Sequence, residues 1–282
     1  MTERSFVIMG LRESGKTTYL AALWHLIEAQ EVVSNLILDH FEGDAAYLNE
    51  IAKSWRNFEK VRRTTMQNEQ DVVLHLRDVQ TGSVAAFAFP DLSGESFDEQ
   101  VEVRRCLQSY VSRFEDNDGL LFFVTADRTQ DDRTIVEQNK AVGGPEPDAL
   151  PQIEPQTSAW TTKSIPAQIR LVEILQFLTR RPFVRRRRRV AVIISAWDVV
   201  PEPRPTPSQW LSQELPLLDQ YLKANARTFD AETYGVSAQG AALDGDIDAI
   251  AHLPASNRIM VQGSSGAGSD LTVPITWLIE NG

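Results

Sequence analysis

Cysteine is almost missing from this chain of 282 residues: Cys106 stands alone, which excludes an internal disulfide and any zinc cluster built on several cysteines. Long apolar runs are missing too. None approaches the roughly 20 residues that cross a bilayer, and the first residues lack the basic-then-apolar layout of a secretion signal, so a cytoplasmic chain is expected. Basic charge is in deficit: 28 Lys and Arg against 39 Asp and Glu leave a formal charge of −11, which argues against nonspecific nucleic-acid binding by the whole surface. The four histidines, His25, His40, His75 and His252, show no i, i+4 pairing, and no GxSxG serine accompanies them. Neither a metal centre nor a hydrolase triad is expected from them.

What is present is an alternation of strand-like and helix-like segments. "SFVIMG" reads as a buried strand, and Leu20, Leu23, Trp24 and Ile27 fall on one face of the helix that follows. "DVVLHLRDV" and "SVAAFAF" read as two strands joined through Gln80, Thr81 and Gly82. A helix is expected from about Phe97 to Phe114, with Cys106 in register with Val103, Leu107, Tyr110 and Phe114 as a core group. "GLLFFVT" (119–125) reads as a strand covered on both faces. A helix capped by Ser164 then presents Leu171, Ile174, Leu175 and Leu178, and leads into "VAVIISAWD". Pro207 and Ser208 open a helix toward Tyr221, "FDAETYGVSA" supplies a last strand and "TVPITWLIE" a last helix. Trp24, Trp160, Trp210 and Trp277 read as packing residues. The expected architecture is a single α/β domain over 1–282 with a mostly parallel sheet and one antiparallel strand. It carries a Pro/Gly-rich insertion at about 128–163 and a mobile loop at about 240–271.

The chemistry concentrates in "GLRESGKTT". Gly10, Gly15, Lys16 and Thr17 satisfy the phosphate-loop pattern GxxxxGKT/S between a strand and a helix. Glycines let the backbone wrap a phosphate, and the helix amides aim the positive end of the dipole at it. Glu13, Ser14 and Thr18 complete the cradle. Lys16 offers its charge to the β and γ phosphates and Thr17 its hydroxyl to Mg2+. Such a site needs a carboxylate at the end of a neighbouring strand, and "AAFAFPDLSGE" places Asp91 there, with Gly94 able to bring its amide near a γ phosphate. Two further strand ends follow: Trp197 and Asp198 in "SAWD", and Ser237 and Ala238 in "VSAQ". In open α/β sheets ligands sit at the carboxyl ends of strands, where both fall. A carboxylate there accepts from two donors of guanine that adenine lacks, and Trp197 would shield or stack on the base.

The order GLRESGKT, DLSG, SAWD, VSAQ resembles the first, third, fourth and fifth sequence boxes of translation-factor-class (TRAFAC) small GTPases. More narrowly, "GLRESGKTTYLAALWHL" with "PDLSGESF" is similar to the bacterial double-GTPase families of conflict or regulatory systems. The resemblance implies a P-loop NTPase G domain with a six-stranded sheet, one strand antiparallel, and helices on both faces. It implies GTP or GDP as the bound nucleotide and Mg2+ as cofactor. Lys16 and Thr17 would serve phosphate and Mg2+, Asp91 would reach Mg2+ through water, and Gly94 would serve the γ phosphate. Asp198 would read guanine, Ser237 and Ala238 would form the base rim, and Thr64 or Thr65 in "RRTTM" would be the switch threonine. It also implies a protein effector or activating protein, or a second related GTPase, as partner.

Two departures from that pattern matter. The N/TKxD box stands here as SAWD, which leaves a P-loop ATPase as an alternative. Glu95 occupies the place of a water-orienting glutamine; a carboxylate beside an anionic phosphate implies slow intrinsic hydrolysis, below about one turnover per second. It also keeps open a nucleotide-dependent interaction module with little hydrolysis. Arg12 inside the loop is either a built-in arginine finger or a solvent-facing residue, the second being favoured, with Glu13 as its ion-pair partner. Arg180, Arg181 and Arg185 through Arg189 form a basic run before a buried strand. It reads either as a contact for phosphate-rich partners or an anionic membrane surface, or, favoured, as a solvated approach neutralised by the acidic insertion.

Overall fold

β1 (Arg4–Gly10) alternates Phe6 and Ile8 on one face with Val7 and Met9 on the other, and all four are buried. A strand with two apolar faces sits in the middle of a sheet covered on both sides. The computed structural model describes residues 4–59, 72–89, 104–106, 108–127, 165–241, 250 and 252–280. In it β1 is followed by α1 (Lys16–Ala29), β2 (Leu36–Glu42), α2 (Ala45–Arg56), β3 (Val72–Asp78), β4 (Val84–Phe89), α3 (Gln108–Ser112) and β5 (Asn117–Thr125). Then come α4 (Ala167–Phe177), β6 (Arg188–Ser195), α5 (Pro207–Glu214), α6 (Pro216–Ala224), β7 (Phe229–Ser237), α7 (Ala255–Arg258), β8 (Met260–Gly263), β9 (Gly266–Gly268) and α8 (Val273–Ile279).

Among the described residues one sheet takes the nine strands, in the order β2-β3-β4-β1-β5-β6-β7-β8-β9. The contacts β4·β1, β1·β5, β5·β6 and β6·β7 are parallel, and β3 runs antiparallel to β4. Those six strands are the sheet expected from the sequence. The expected count of six is nevertheless too low. β2 adds to the β3 edge, and the β8–β9 hairpin adds to the β7 edge, all by antiparallel pairing. Helices cover both faces: α1, α2 and α8 pack on the face carrying Phe6, Phe87, Phe123 and Ile193. The opposite face, carrying Val7, Phe122, Val192 and Ile194, receives α3, α4, α5 and α6. Among the described residues no helix is long and apolar enough to cross a membrane.

Local chemistry explains where the elements depart from expectation. The turn between β3 and β4 forms where foreseen, because Asp78 accepts from the amides of Gln80 (2.7 Å) and Thr81 (2.9 Å) while Gly82 turns at φ +69°. The helix expected from Phe97 is helical only over Gln108–Ser112 among the described residues; Arg104 sits at φ +55°, a left-handed value that stops an α-helix. Cys106 is half-buried against the core, though from a non-helical stretch; Val103 and Leu107, expected beside it at helical spacing, lie outside the described residues. The helix from Pro207 breaks in two, since Pro216 has no N–H to donate and forces Leu215 out of helical backbone. The stretch read as a loop at about 240–271 contains α7, β8 and β9. α2, with Leu48, Ile51, Ala52 and Trp55 buried on one face behind an Asp44 cap, was equally unforeseen. The 128–163 insertion, its Trp160 and the Ser164 cap lie outside the described residues; α4 instead starts after Pro166.

The arginine run has several fates. Arg186 reaches Asp118 at 3.3 Å and Arg187 reaches Asp230 at 3.4 Å. Arg189 stacks on Trp277, 3.8 Å from the ring centre, and donates to the carbonyls of Leu278 and Glu280. Arg188 is buried, and burial pushes its guanidinium pKa down to about 10, with Arg186 adding to the effect. Among the described residues the carboxylates that meet the run, Asp118 and Asp230, belong to β5 and β7; the 128–163 insertion expected to neutralise it lies outside the described residues.

A candidate nucleotide site at the strand ends

The Gly10–Gly15 loop crosses from the end of β1 to the start of α1 with no room for side chains at its ends. A Cβ on Gly10 would stand 2.5 Å from the Phe123 carbonyl oxygen, and one on Gly15 would stand 2.9 Å from Cβ of Ser195. Gly15 also adopts φ +84°, a value that suits glycine. Glu13, at φ +61°, holds a conformation uncommon for a residue with a side chain. Left-handed residues in such a loop turn successive amides toward one side. Gly15 supplies no capping side chain and the first turn of α1 holds no acidic residue, so the helix start presents its dipole without a built-in anion. Arg12 and Glu13 are exposed and Ser14 is buried, while Lys16, Thr17 and Thr18 are half-buried.

Lys16 folds back over the loop. Its Nζ donates to the carbonyls of Gly10 (2.9 Å) and Leu11 (2.7 Å) and to Ser14 Oγ (3.2 Å). The ammonium is thus held over the concave backbone, where phosphate oxygens would replace or join those acceptors. Thr17, in the first helical turn, offers a hard hydroxyl oxygen of the kind Mg2+ takes. The residues present here fit a phosphate–Mg2+ group. Asp91, Gly94, Glu95, Thr64 and Thr65 lie outside the described residues.

The ends of β6 and β7 close on the same edge. Ser195, against which Gly15 packs, is followed by Ala196 at φ +53° and a short 3-10 turn over Trp197–Val199. That turn separates its side chains, burying Trp197 and leaving Val199 exposed. Trp197 goes inward and is fully buried, its Nε1 donating to Gln262 at 2.8 Å and its ring edge-on to Trp210. It lies so close to β7 that a Cβ on Gly235 would stand 2.3 Å from the indole. The expected stacking of Trp197 on a base is therefore corrected: with both ring faces packed, the indole supports the loop from beneath. Asp198 stays half-exposed, and Ser237 donates its hydroxyl to Asp198 Oδ1 while accepting from the Gly240 amide at 3.0 Å. A carboxylate held by one oxygen keeps its remaining acceptor sites in a fixed direction.

Sequence reasoning missed the layer behind this rim. Trp55 donates from Nε1 to the Ala238 carbonyl (2.9 Å), and Gln239 donates to the Trp55 carbonyl (3.2 Å). Arg258 lies over the rings of Trp55 and Phe58. The helical spacing of Leu48, Ile51 and Trp55 marks Trp55 as a core residue; nothing in the sequence pairs it with a residue 183 positions away. The groove of about 520 Å3 between α4 and α6, lined by Ile169, Val172, Leu217 and Tyr221, shares no residue with this edge.

Comparison with known proteins adds a family. The sequence model of Double-GTPase 1 matches residues 7–278. Among curated proteins none matches. The Saccharomyces cerevisiae Ski7 GTPase-like domain bound to GDP and inorganic phosphate is similar at 13% identity, over 90% of this chain and 46% of that one, with a TM-score of 0.44. The same domain bound to GTP gives 14% identity, 89% and 46% coverage, and 0.42. Sup35 complexed with GDP gives 12%, 86% and 39%, and 0.36. This chain spans about half the length of those structures.

Proposed function

The chain belongs to the Double-GTPase 1 family, and on that premise we propose that it binds GTP and GDP across the ends of β1, β6 and β7 and hydrolyses GTP slowly, as a switch. The observation that carries this reading is the convergence of three distant segments on one edge: Gly15 packs on Ser195, and Asp198 of the same loop is held by Ser237. Lys16 would neutralise phosphate charge, the α1 amides would orient the phosphates, and Asp198 would select guanine through its ring and exocyclic N–H donors. Thr17 would hold Mg2+ together with Asp91 and one of Thr64 and Thr65; when bound, the ion supplies charge neutralisation at the β and γ phosphates. Glu95 would orient the attacking water less well than an uncharged amide, and exposed Arg12 would either offset phosphate charge or, the favoured reading, face solvent. In this reading hydrolysis is slow without a partner, which would be an activating protein, an effector or a second related GTPase in a bacterial conflict or regulatory system. Glu95 also supports a second reading, an interaction module that binds nucleotide with little hydrolysis.

Thermal unfolding with GDP, a GTP analogue, ADP and an ATP analogue tests the proposal. At a hundred times Kd a guanine nucleotide stabilises by about 2.7 kcal/mol. Equal shifts with adenine nucleotides would overturn the guanine assignment, and no shift with any of them would overturn the nucleotide site. Ser237→Ala removes the hydroxyl that orients Asp198, so GDP affinity is expected to fall up to about tenfold with the adenine nucleotides unaffected, read by titration calorimetry.

A further inference from the structure

β2 carries a defect with a consequence. Leu36, Ile37 and Leu38 pair in regular antiparallel register with Asp78, Arg77 and Leu76, but the next pair is His40 with His75, so Asp39 is an extra residue, a bulge. Without it the alternation begun by Leu36 and Leu38 would aim His40 at the apolar face; with it Phe41 packs there and His40 and Glu42 turn to the face of His75. A bulge re-aims side chains, and here it assembles three ligand-type residues.

We propose that His40, Glu42 and His75 bind a divalent transition-metal ion of the zinc class. One ligand atom from each lies within 4.8 Å of the others, and among the described residues no other trio of His, Cys, Asp and Glu gathers so closely. The imidazoles stack at 3.8 Å and 12°, which keeps their nitrogens close, and Glu42 Oε1 is 3.4 Å from His75 Nε2. His75 is over nine-tenths buried and anchors the site, while His40 and Glu42 are exposed. Closing on an ion asks for ligand separations of about 3.3 Å, from bond lengths near 2 Å in a tetrahedron.

The shell behind the ligands fits the same assignment. Asp39 Oδ2 lies 2.9 Å from His40 Nδ1, and a carboxylate only accepts, so Nδ1 carries the proton and Nε2 of the neutral ring the lone pair. Arg77 in turn donates to Asp39 through Nε (2.9 Å) and its terminal nitrogen. Two imidazoles and a carboxylate suit Zn2+ or Co2+; Mg2+ prefers oxygen in an octahedron. The site is also remote from the nucleotide edge. His75 pairs with Ala86, which pairs with Ser5, five residues before Gly10, so β-sheet spacings put the two sites ~20 Å apart. A bound ion would clasp β2 to β3 and steady the strand that leads into α2 and Trp55.

The test uses metal-stripped, nucleotide-free protein without an affinity tag. Zn2+ is titrated by calorimetry and Co2+ by its visible d–d absorption. One ion per chain is expected, with His40→Gln and Glu42→Gln each weakening binding by about tenfold or more while their melting curves without metal match the parent. His75→Ala should abolish the cobalt band, and exposed His252→Ala should leave it. Absence of saturable one-to-one binding of either ion up to about 0.1 mM, a cross-strand packing pair only, would overturn the proposal. So would binding that survives both His40→Gln and Glu42→Gln.

Discussion

Lys16→Ala is expected to lose nearly all nucleotide-dependent stabilisation while melting close to the parent protein. In the structure Nζ is bound by two carbonyls and a hydroxyl of its own loop. The site is half-exposed, so water can take over those acceptors and the fold itself loses little, about 1 kcal/mol or less. Against a phosphate the ammonium makes charge-assisted hydrogen bonds of about 1.5–3 kcal/mol each, so two of them amount to a hundredfold or more in affinity. Titration of GDP and a GTP analogue into parent and variant, beside their melting curves, separates the two effects. An unchanged nucleotide-induced shift in Lys16→Ala would show that the loop does not cradle phosphate.

Arg188→Ala is expected to cost about 3–5 kcal/mol of folding stability, against about 0.5 kcal/mol or less for Arg187→Ala one residue away. Arg188 is 1% exposed and donates to the carbonyls of Leu178 (3.3 Å), Phe114 (3.2 Å) and Val184 (3.0 Å). Its removal opens a cavity and leaves three acceptors without their donor. Arg187 is largely exposed and pairs with Asp230 at 3.4 Å. Arg188→Lys should recover only part of the loss, because a single ammonium cannot reach three carbonyls spread along the planar fork of a guanidinium. Urea unfolding of the three variants measures this. Equal small losses for Arg187→Ala and Arg188→Ala would contradict the buried role.

The contrast between neighbours shows where sequence reading stops. Five consecutive arginines, Arg185–Arg189, look alike as a charge run, yet Arg187 is exposed, Arg188 is buried against Leu178 and Phe114, and Arg189 lies over Trp277. None of those partners is adjacent in the chain. Trp197 fails for the same reason: its place in SAWD suggested a base contact, but the direction of its side chain depends on Ala196 turning left-handed and on Gly235 leaving room under the ring. β8 and β9 were unreadable because "QGSSGAG" has loop composition; the open edge of β7 makes strands of it.

His25, His40, His75 and His252 offered no spacing to interpret, and the meeting of His40 with His75 rests on a one-residue bulge that no alternation pattern reports. α2 is a different kind of miss. Asp44 as cap with Leu48, Ile51, Ala52 and Trp55 at helical spacing is a signal the sequence does carry.

By itself the sequence determined the central strands, the strand-to-helix loop and the kind of chemistry that loop can hold. These depend on residue identity and short-range periodicity: a glycine where no Cβ fits, a lysine beside a helix start, apolar residues on both faces of β1, β5 and β6. Only the tertiary structure decided which strand ends share an edge with Gly15, that Ser237 holds Asp198, that Trp197 packs inward, and that His40 stands opposite His75. Each of those is a contact between segments far apart in the chain, set by strand order and register, which local patterns constrain only through the burial they ask for.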